Sequence, residues 1–276
     1  MPLVTTADLV QQAATRGGGV AAFNVITLEH AEGIAAGAQR SGRPVILQVS
    51  ENTVRFHDGR IRPLAAALAA LASDVEIPVS LHLDHVESAE LWREAATAGY
   101  SSVMVDCGSL PYKQNVAITA DATTRLHAHG LAVEAELGYV GGKDTQAASA
   151  HAPGVRTEPR QAQTFVAATG VDSLAVAVGS SHAMTTQTAE LDIDLIAALR
   201  EAVPLVLHGS SGVPDDTLRQ AVRAGIVKVN IGTAHNIAYT GALRAALTDN
   251  TDPRPPMNAA RTAVADAVAH LLDVVG

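Results

Sequence analysis

The chain has 276 residues, 47% of them hydrophobic, which is enough to bury one large core, and it carries a formal net charge of −9 without any run of Lys or Arg. That charge argues against nucleic acid and anionic membrane surfaces as partners. The single cysteine, Cys107, excludes an internal disulfide and favours a reducing compartment. The first residues predict no signal peptide, and the longest apolar run, residues 64–72, is too short to span a bilayer, so we expect a cytoplasmic protein.

Short β-rich runs alternate with Ala-rich amphipathic runs from one end of the chain to the other. Strands are predicted at residues 20–25, 44–50, 78–84, 101–106, 131–137, 173–179, 204–208 and 226–231. Helices are predicted between them at 27–41, 88–98, 112–129, 158–168, 192–202, 214–224 and 233–248, with two more at 5–16 and 256–274. This alternation is the pattern of parallel βαβ units.

About eight such units in roughly 250 residues have the size of a closed (β/α)8 barrel, the TIM-barrel fold. An open, doubly wound sheet is the alternative, but a G-x-G-x-x-G motif would be expected after its first strand, and the sequence has none there. No shift in composition marks a second domain. The sequence thus predicts a single α/β barrel domain over residues 1–276, with an extra helix at each end.

Alternate residues of a strand share one face, and one of the two faces is polar in the predicted strands. The polar face carries Asn24, Gln48, Ser50, Ser80, His82, Asp84, Asp106, Glu134, Glu136, His208, Lys228 and Asn230. In a barrel this face points inward, while the apolar face packs on the helices. Most of the polar positions fall near the carboxyl ends of their strands, where barrel enzymes carry their catalytic residues, so we expect an active site at that rim.

Three histidines lie at the ends of predicted strands or just after them. His85 follows the third strand, His182 follows the sixth, and His208 ends the seventh. Three neutral imidazoles with an open fourth position form a typical catalytic zinc site, so these residues predict a metal centre. The other histidines considered are expected to be ordinary hydrogen-bonded residues: His30, His57, His127, His129, His151, His235 and His270.

Two loops of small residues, HGSSG at 208–212 and NIGT at 230–233, follow the seventh and eighth strands. Their backbone N–H groups can approach an anion, and the second loop leads into a helix whose N-terminus favours negative charge. Barrels commonly bind phosphate at these two loops, so we expect a phosphate site there. The long segment 138–159 predicts an active-site lid or a disordered loop, with Gly141 and Gly142 as a hinge.

These residues together resemble the class II, zinc-dependent ketose-bisphosphate aldolases, which include the fructose- and tagatose-bisphosphate enzymes. The resemblance runs through nearly the whole chain in the motifs AFNV, LHLDH, SVMVDCGSLPYKQN, VEAELGYVGG, DSLAVAVGSSH, PLVLHGSSG and KVNIGT. It implies a zinc ion on His85, His182 and His208, and a homodimer or homotetramer that acts on a phosphorylated sugar. The implied reaction is reversible cleavage of a ketose phosphate to dihydroxyacetone phosphate and an aldehyde.

The resemblance also implies roles for individual residues. Asp84 would be the acid/base for the aldehyde-side hydroxyl, and Asp106 and Glu136 match positions that can hold a second or displaced metal ion. The residues expected to contact the substrate are Asn24, Ser50, Ala183, Gly209, Ser210, Ser211, Asn230, Ile231, Gly232 and Thr233. Aldol cleavage needs an electron sink next to a carbonyl, which zinc supplies as a Lewis acid. We expect His82 to support Asp84 and His85 from behind.

Four positions depart from the family pattern. Ala183 stands where the family usually has Gly, beside a monovalent-cation site, and Asp144 is the nearest counterpart of a lid Glu that moves the C3 proton. Gly232 replaces an acidic residue of fructose-bisphosphate enzymes or an Ala of tagatose-type ones. Asn258 replaces an Arg that reaches the second phosphate of a neighbouring subunit's substrate, although Arg261 could compensate. The sequence therefore leaves the identity of the ketose open.

Three other functions fit parts of the sequence. Lys228 points inward on the eighth strand and could form a Schiff base, although a buried ion pair with Glu134 or Glu136 is the simpler interpretation. A zinc-bound water could serve a hydrolase, which the paired phosphate loops and the lack of H-x-H in the first strand disfavour. A non-enzymatic accessory barrel is the least favoured, because it would give Asp84 and the lid no function.

Overall fold

The computed structural model describes residues 3–138, 140, 156–249 and 251–276. Eight parallel strands form a closed barrel, in which each strand pairs with the next one in the chain and the last pairs with the first. The strands are β1 (Val20–Asn24), β2 (Val45–Ser50), β3 (Val79–Val86), β4 (Ser102–Val105), β5 (Ala132–Leu137), β6 (Ser173–Val176), β7 (Leu205–Leu207) and β8 (Ile226–Ile231). All eight predicted strands are present, and the predicted barrel is confirmed.

Helices cover the outside of the barrel and one of its ends. They are α1 (Thr6–Arg16), α2 (Leu28–Ser41), α3 (Glu51–Phe56), α4 (Ile61–Asp74), α5 (Ala89–Ala98), α6 (Tyr112–His127), α7 (Pro159–Thr169), α8 (Ile193–Leu199), α9 (Asp215–Ala224), α10 (Thr233–Ala246) and α11 (Arg254–Val275). Within the described part of the chain, none of these helices is both long and apolar enough to cross a bilayer.

Two of these helices, α3 and α4, are absent from the sequence prediction. Helix α3 has only six residues and begins where Ser50, at the end of β2, accepts a hydrogen bond from the N–H group of Thr53. Helix α4 is rich in Ala and Leu, and such a run has no clear polar face from which a helical period could be recognised. Both helices lie in the connection between β2 and β3, and α3 brings its side chains to the carboxyl end of the barrel.

The two faces of the strands are buried in different surroundings, as the sequence predicts. Outward-facing residues such as Leu81, Leu83 and Leu207 pack with the helices in one large apolar core. Inside the barrel the polar residues are buried as well and bond to each other; Lys228, for example, donates to Glu134. Burying polar and charged groups costs free energy unless they are paired, so the interior has to form a connected network.

Helix α1 closes the N-terminal end of the barrel. Its residues Leu9, Val10 and Ala13 pack against Val20 and Ile46, which lie near the starts of β1 and β2. At the opposite end, the loops that follow the strands surround an open cavity. The barrel therefore exposes its carboxyl rim, where a barrel enzyme places its active site.

Candidate active site

Three imidazole rings meet at the carboxyl rim. His85 lies near the end of β3, His182 follows β6, and His208 follows β7. Their ring centroids are 4.7, 5.2 and 5.6 Å apart, and each ring places a nitrogen within 4.8 Å of the others. The structure therefore brings together the three histidines that the sequence singles out.

A β-bulge in β3 lets two neighbouring residues, Asp84 and His85, face the same cavity. In a regular strand they would point to opposite faces of the sheet. Between Leu83 and Val86 the register with β4 shifts, and His85 has a left-handed backbone with φ of 50°. Bulges of this kind re-aim side chains next to active sites. Both residues line the cavity as a result.

A close backbone contact sets His182 beside His208. Gly209 has φ of 65°, and a Cβ atom placed on it would lie 2.5 Å from the carbonyl oxygen of Ser181. Only glycine meets both conditions, because a side chain would collide with the neighbouring backbone. The loops after β6 and β7 thus touch at Gly209. This contact brings His182, which follows Ser181, close to His208, which precedes Gly209.

Carboxylates from β5 and from the loop after β4 orient two of the rings. His85 donates from Nδ1 to Oδ2 of Asp106 at 2.8 Å, and His208 donates from Nε2 to Oε1 of Glu134 at 2.9 Å. We assign these tautomers from the hydrogen bonds, because an ionised carboxylate only accepts. The opposite nitrogens, Nε2 of His85 and Nδ1 of His208, face each other at 3.0 Å. Two lone pairs at this distance are well suited to a shared cation.

The donor set fits a zinc ion. Three imidazoles with an open fourth position are typical ligands of catalytic zinc, and carboxylates on their outer nitrogens select the tautomer that binds it. Asp106 would act on the ion through its hydrogen bond to His85, and Glu136 lies close to Asp106. A Cβ atom placed on Gly108 would be 3.3 Å from Oε1 of Glu136 and 3.5 Å from Oδ1 of Asp106. The two positions predicted for a second ion are therefore neighbours in the structure.

A buried ion pair lies deeper in the barrel. Nζ of Lys228 donates to Oε2 of Glu134 at 2.8 Å, with both side chains almost fully buried. This confirms the predicted pairing, and Lys228 is not among the described residues that line the cavity, where a Schiff base would have to form.

His82 lies beside this ion pair, with Nδ1 at 2.7 Å from the hydroxyl of Ser102 and Nε2 at 3.8 Å from Oδ1 of Asp84. Burial, together with the charge of Lys228, holds the pKa of His82 well below its usual value. The ring is therefore neutral. Its place next to Asp84 agrees with the supporting position that the sequence suggests.

Three side-chain amides surround the carboxylate of Asp84. Oδ1 accepts from Nδ2 of Asn230 at 3.4 Å. Oδ2 accepts from Nδ2 of Asn24 and Nε2 of Gln48, also at 3.4 Å. Gln48 donates in addition to Oδ1 of Asn24 at 2.8 Å, which links the amides into one network. The three amides thus hold the carboxylate in one orientation facing the cavity, and an acid/base residue has to be positioned in this way.

The loops after β7 and β8 form one unit. Residues 210–212 make a turn of 3-10 helix, in which the hydroxyl of Ser210 donates to the carbonyl of Asn230 at 2.6 Å. The hydroxyl of Ser211 accepts from the N–H group of Ala234 at 3.0 Å, within the first turn of α10. The N-terminus of α10 therefore lies beside the Gly/Ser loop, in the arrangement that favours an anion.

These elements surround a cavity of about 420 Å³. The predicted site residues that line it are Asn24, Ser50, Asp84, His85, His182, Ala183, His208, Gly209, Ser210, Ser211, Asn230, Gly232 and Thr233. Asp106 and Glu136 lie outside the lining. Ile231 does too, because its side chain packs in the outer core.

Several lining residues are missing from the predicted site: Ile26, Gln48, Asn52, Thr53, Phe56, Ser181 and Asn236. Two of them carried a signal in the sequence, since Gln48 shares a strand face with Ser50 and Ser181 precedes His182. The three from α3 could not be found, because α3 itself is not predicted.

Most histidines outside the rim are hydrogen-bonded, as predicted. Those with a partner are His30, His57, His127, His235 and His270. Burial lowers the pKa of His235 to about 4, so this ring is neutral. The predicted lid acid Asp144, the hinge at Gly141 and Gly142, and His151 lie outside the described residues.

The fold and the rim together define a class of protein. A closed (β/α)8 barrel whose carboxyl end gathers three imidazoles, a carboxylate in an amide network and a Gly/Ser loop beside a helix N-terminus has the organisation of a barrel enzyme with a candidate metal centre.

The sequence model of one family, described as fructose-bisphosphate aldolase class-II, matches residues 4–276. The chain belongs to this family, and it is therefore an aldolase, an enzyme of the lyase class. Membership decides against the hydrolase and the accessory barrel that the sequence left open.

Solved structures agree with this assignment. The YdjI aldolase from Escherichia coli K12 is 30% identical to the chain, with 99% of this chain and 97% of that one covered at a TM-score of 0.87. A candidate fructose-1,6-biphosphate aldolase from Coccidioides immitis is 26% identical, with 98% and 95% covered at 0.87. The fructose-bisphosphate aldolase from Campylobacter jejuni, 19% identical with 99% and 95% covered at 0.82, shares the fold.

Proposed function

We propose that the protein catalyses the zinc-dependent, reversible aldol cleavage of a phosphorylated ketose to dihydroxyacetone phosphate and an aldehyde. The observation that carries the proposal is the pair of imidazole nitrogens, on His85 and His208, that face each other at 3.0 Å in the cavity that Asp84 also lines. Aldol cleavage requires an electron sink and a proton carrier side by side. Membership of the aldolase family supports the same reaction.

His85, His182 and His208 would hold the zinc ion. Asp106 and Glu134 accept hydrogen bonds from the outer nitrogens of two of these rings and thereby keep the inner nitrogens turned toward the ion. When bound, zinc supplies a Lewis acid that stabilises negative charge next to the ketose carbonyl.

Asp84 carries the proton of the C4 hydroxyl, next to the bond that breaks. During cleavage its carboxylate takes the proton from the C4 hydroxyl, the C3–C4 bond breaks, and C4 leaves as the aldehyde carbon; during synthesis Asp84 returns the proton to the aldehyde oxygen. Asn24, Gln48 and Asn230 hold the carboxylate in position. We assign the C3 proton to Asp144, by analogy with the family's lid acid.

The triose phosphate end of the substrate would bind at the loops after β7 and β8. Backbone N–H groups of Gly209, Ser210 and Ser211 and the N-terminus of α10 at Thr233 offer the uncharged anion site that phosphate uses in many barrels. Asn24 and Gly232 narrow the cavity beside it, because a Cβ atom on Gly232 would lie 3.0 Å from Oδ1 of Asn24.

Further parts of the proposal rest on the family resemblance or on the sequence alone. The resemblance suggests a second ion at Asp106 and Glu136, a monovalent cation near Ala183, substrate contact by Ile231 and Ser50, and a homodimer or homotetramer. The sequence suggests a cytoplasmic location and one domain over residues 1–276.

Metal removal tests the proposal directly. A chelator should abolish cleavage of a ketose phosphate, and zinc or cobalt should restore it, whereas borohydride with substrate should not inactivate the enzyme. His208→Ala should lose bound zinc, while His270→Ala, which removes a surface histidine bonded to Asp215, should retain it. Activity that survives complete zinc removal, or a reduced imine trapped on Lys228, would refute the proposal.

A further inference from the structure

Phe56 is a largely exposed aromatic residue at the mouth of the active-site cavity. It is 66% exposed, and together with Ile26, Asn52 and Thr53 it lines the side of the cavity that α3 and the end of β1 form. Single exposed apolar residues are common on protein surfaces, but this one belongs to a binding cavity, whose apolar side chains usually receive apolar parts of a ligand.

The position of Phe56 is fixed by its neighbours. The hydroxyl of Ser50 caps the first turn of α3, and the carboxylate of Glu51 accepts hydrogen bonds from the backbone N–H groups of Glu87 and Ser88 at 2.8 and 3.1 Å. After Phe56, Nε2 of His57 donates to the carbonyl of Ile26 at 2.7 Å. Both ends of α3 are thus bonded to the barrel. The exposed ring therefore belongs to a fixed wall of the cavity, formed by Ile26, Asn52, Thr53 and Phe56.

The wall stands on the side of the cavity where the aldehyde half of the substrate would lie. Ser50 pairs with Asp84 between β2 and β3, and α3 follows Ser50 directly. Six residues of helix place Phe56 about 9 Å further along the axis. The loop after β7, which carries Gly209, Ser210 and Ser211, lies across the barrel from β3. A substrate whose C4 hydroxyl meets Asp84 therefore extends its remaining carbons toward Phe56.

The described part of this wall carries no formal charge. Its side chains are two apolar groups, an amide and a hydroxyl, and the described residues that line the cavity include no Lys or Arg. Arg55 lies on α3 next to Phe56, but it pairs with Glu51 and does not line the cavity. The described residues of this wall would thus give a second phosphate no cationic partner to offset its desolvation.

We infer that the aldehyde half of the substrate is uncharged and ends in an alkyl or aryl group that packs on Phe56 and Ile26. The inference rests on the proposed function. In synthesis, C3 of dihydroxyacetone phosphate gives its proton to the base that the proposed function assigns to it. C3 then bonds to the carbonyl carbon of the apolar aldehyde, and the aldehyde oxygen takes a proton from Asp84. The product is a ketose 1-phosphate with an unphosphorylated, apolar tail.

The test is kcat/KM for synthesis from dihydroxyacetone phosphate and a panel of aldehydes: glycolaldehyde, pentanal, phenylacetaldehyde and glyceraldehyde 3-phosphate. The intact enzyme should prefer pentanal or phenylacetaldehyde over glyceraldehyde 3-phosphate by about 10-fold or more, the scale on which apolar pockets discriminate. Phe56→Ala should reduce the preference for phenylacetaldehyde over glycolaldehyde about 10-fold. Phe56→Leu should retain part of the preference for pentanal over glycolaldehyde that Phe56→Ala loses. Leu247→Ala, a change at another exposed apolar residue, should leave every ratio unchanged.

Two results would overturn the inference and can be told apart from failure of the proposed function. A preference for glyceraldehyde 3-phosphate would show that the aldehyde end binds a phosphate. Equal losses with every aldehyde in Phe56→Ala would show that the ring serves something other than the aldehyde tail. Failure to form any aldol product would instead refute the proposed function, and the inference with it.

Discussion

The imidazole of His85 donates from Nδ1 to Oδ2 of Asp106 at 2.8 Å, and this bond turns its Nε2 toward the centre of the histidine cluster. The two residues are 21 positions apart and lie on neighbouring parts of the barrel rim, at the ends of β3 and β4. A carboxylate behind a metal-binding histidine selects its tautomer and raises its basicity. Asp106 is therefore expected to act on the metal through His85.

Replacing Asp106 by Asn should weaken zinc binding by about 10-fold or more, because the amide carries no charge with which to polarise the ring. A competition titration against a chromophoric chelator measures the change. Asp172→Asn is a matched control, since Asp172 accepts a hydrogen bond from Nε2 of His127 at 2.8 Å outside the cavity. Equal zinc affinity in Asp106→Asn and the native protein would show that the contact is only structural.

Asp84→Ala should keep the fold and most of the zinc, because the proposed zinc ligands are the three histidines. Cleavage should fall by about 10²–10⁴-fold, the range expected for a positioned acid/base group. Proton exchange at C3 of dihydroxyacetone phosphate should survive better, since that proton does not belong to Asp84. Rates of cleavage and of tritium exchange in the same preparation make the comparison, and equal losses would contradict the assigned role.

The enzyme should use dihydroxyacetone phosphate well without being a strict fructose 1,6-bisphosphate aldolase. Asn258 stands at the family's Arg position, and Arg261 does not replace that Arg freely: it donates to Glu32 at 2.7 Å and to Oδ1 of Asn258 at 2.8 Å. Ketose 1-phosphates should therefore compete well with fructose 1,6-bisphosphate in a panel of kcat/KM values that also includes tagatose 1,6-bisphosphate.

Asn258→Arg should improve the use of bisphosphates selectively, because Arg can form a bidentate, charge-assisted bond to phosphate. A native preference for fructose 1,6-bisphosphate of about 10³-fold, equivalent to about 4 kcal/mol, would contradict this interpretation of Asn258.

Stability should fall as the pH drops from about 6.5 toward 4, in part through His235. Burial lowers the pKa of His235 to about 4, while the unfolded chain has the usual value near 6.5, so the unfolded state binds the proton first. The contribution of neutral His235 to the free energy of unfolding is fully present above pH 6.5, and about 2 kcal/mol of it should be lost at pH 5.

Urea unfolding at pH 7 and pH 5 measures this loss. His235→Gln should be less stable at pH 7, because the buried bond to the carbonyl of Asn24 at 2.7 Å is altered, but its stability should depend less on pH. The pKa of His30, which stacks on Tyr239 next to His235, is also lowered by burial, so some pH dependence should remain. An identical pH dependence in both proteins would contradict the prediction.

The sequence by itself predicted the order of strands and helices, the inward polar face and the three histidines at the rim. These features are local: a strand shows its two faces in alternate residues, and a parallel barrel brings every strand end to one rim. Ser80, His82 and Asp84 show this alternation within five positions, and the structure buries all three inside the barrel.

Only the tertiary structure decided how those residues are aimed. The bulge that turns Asp84 and His85 to one side depends on pairing with β4, and the orientation of His208 depends on Glu134, 74 residues earlier. The exposure of Phe56 depends on α3, which is too short and too poor in helix formers to be recognised from its own residues. Such contacts join distant segments, and no local pattern encodes them, because they exist only once the barrel has closed.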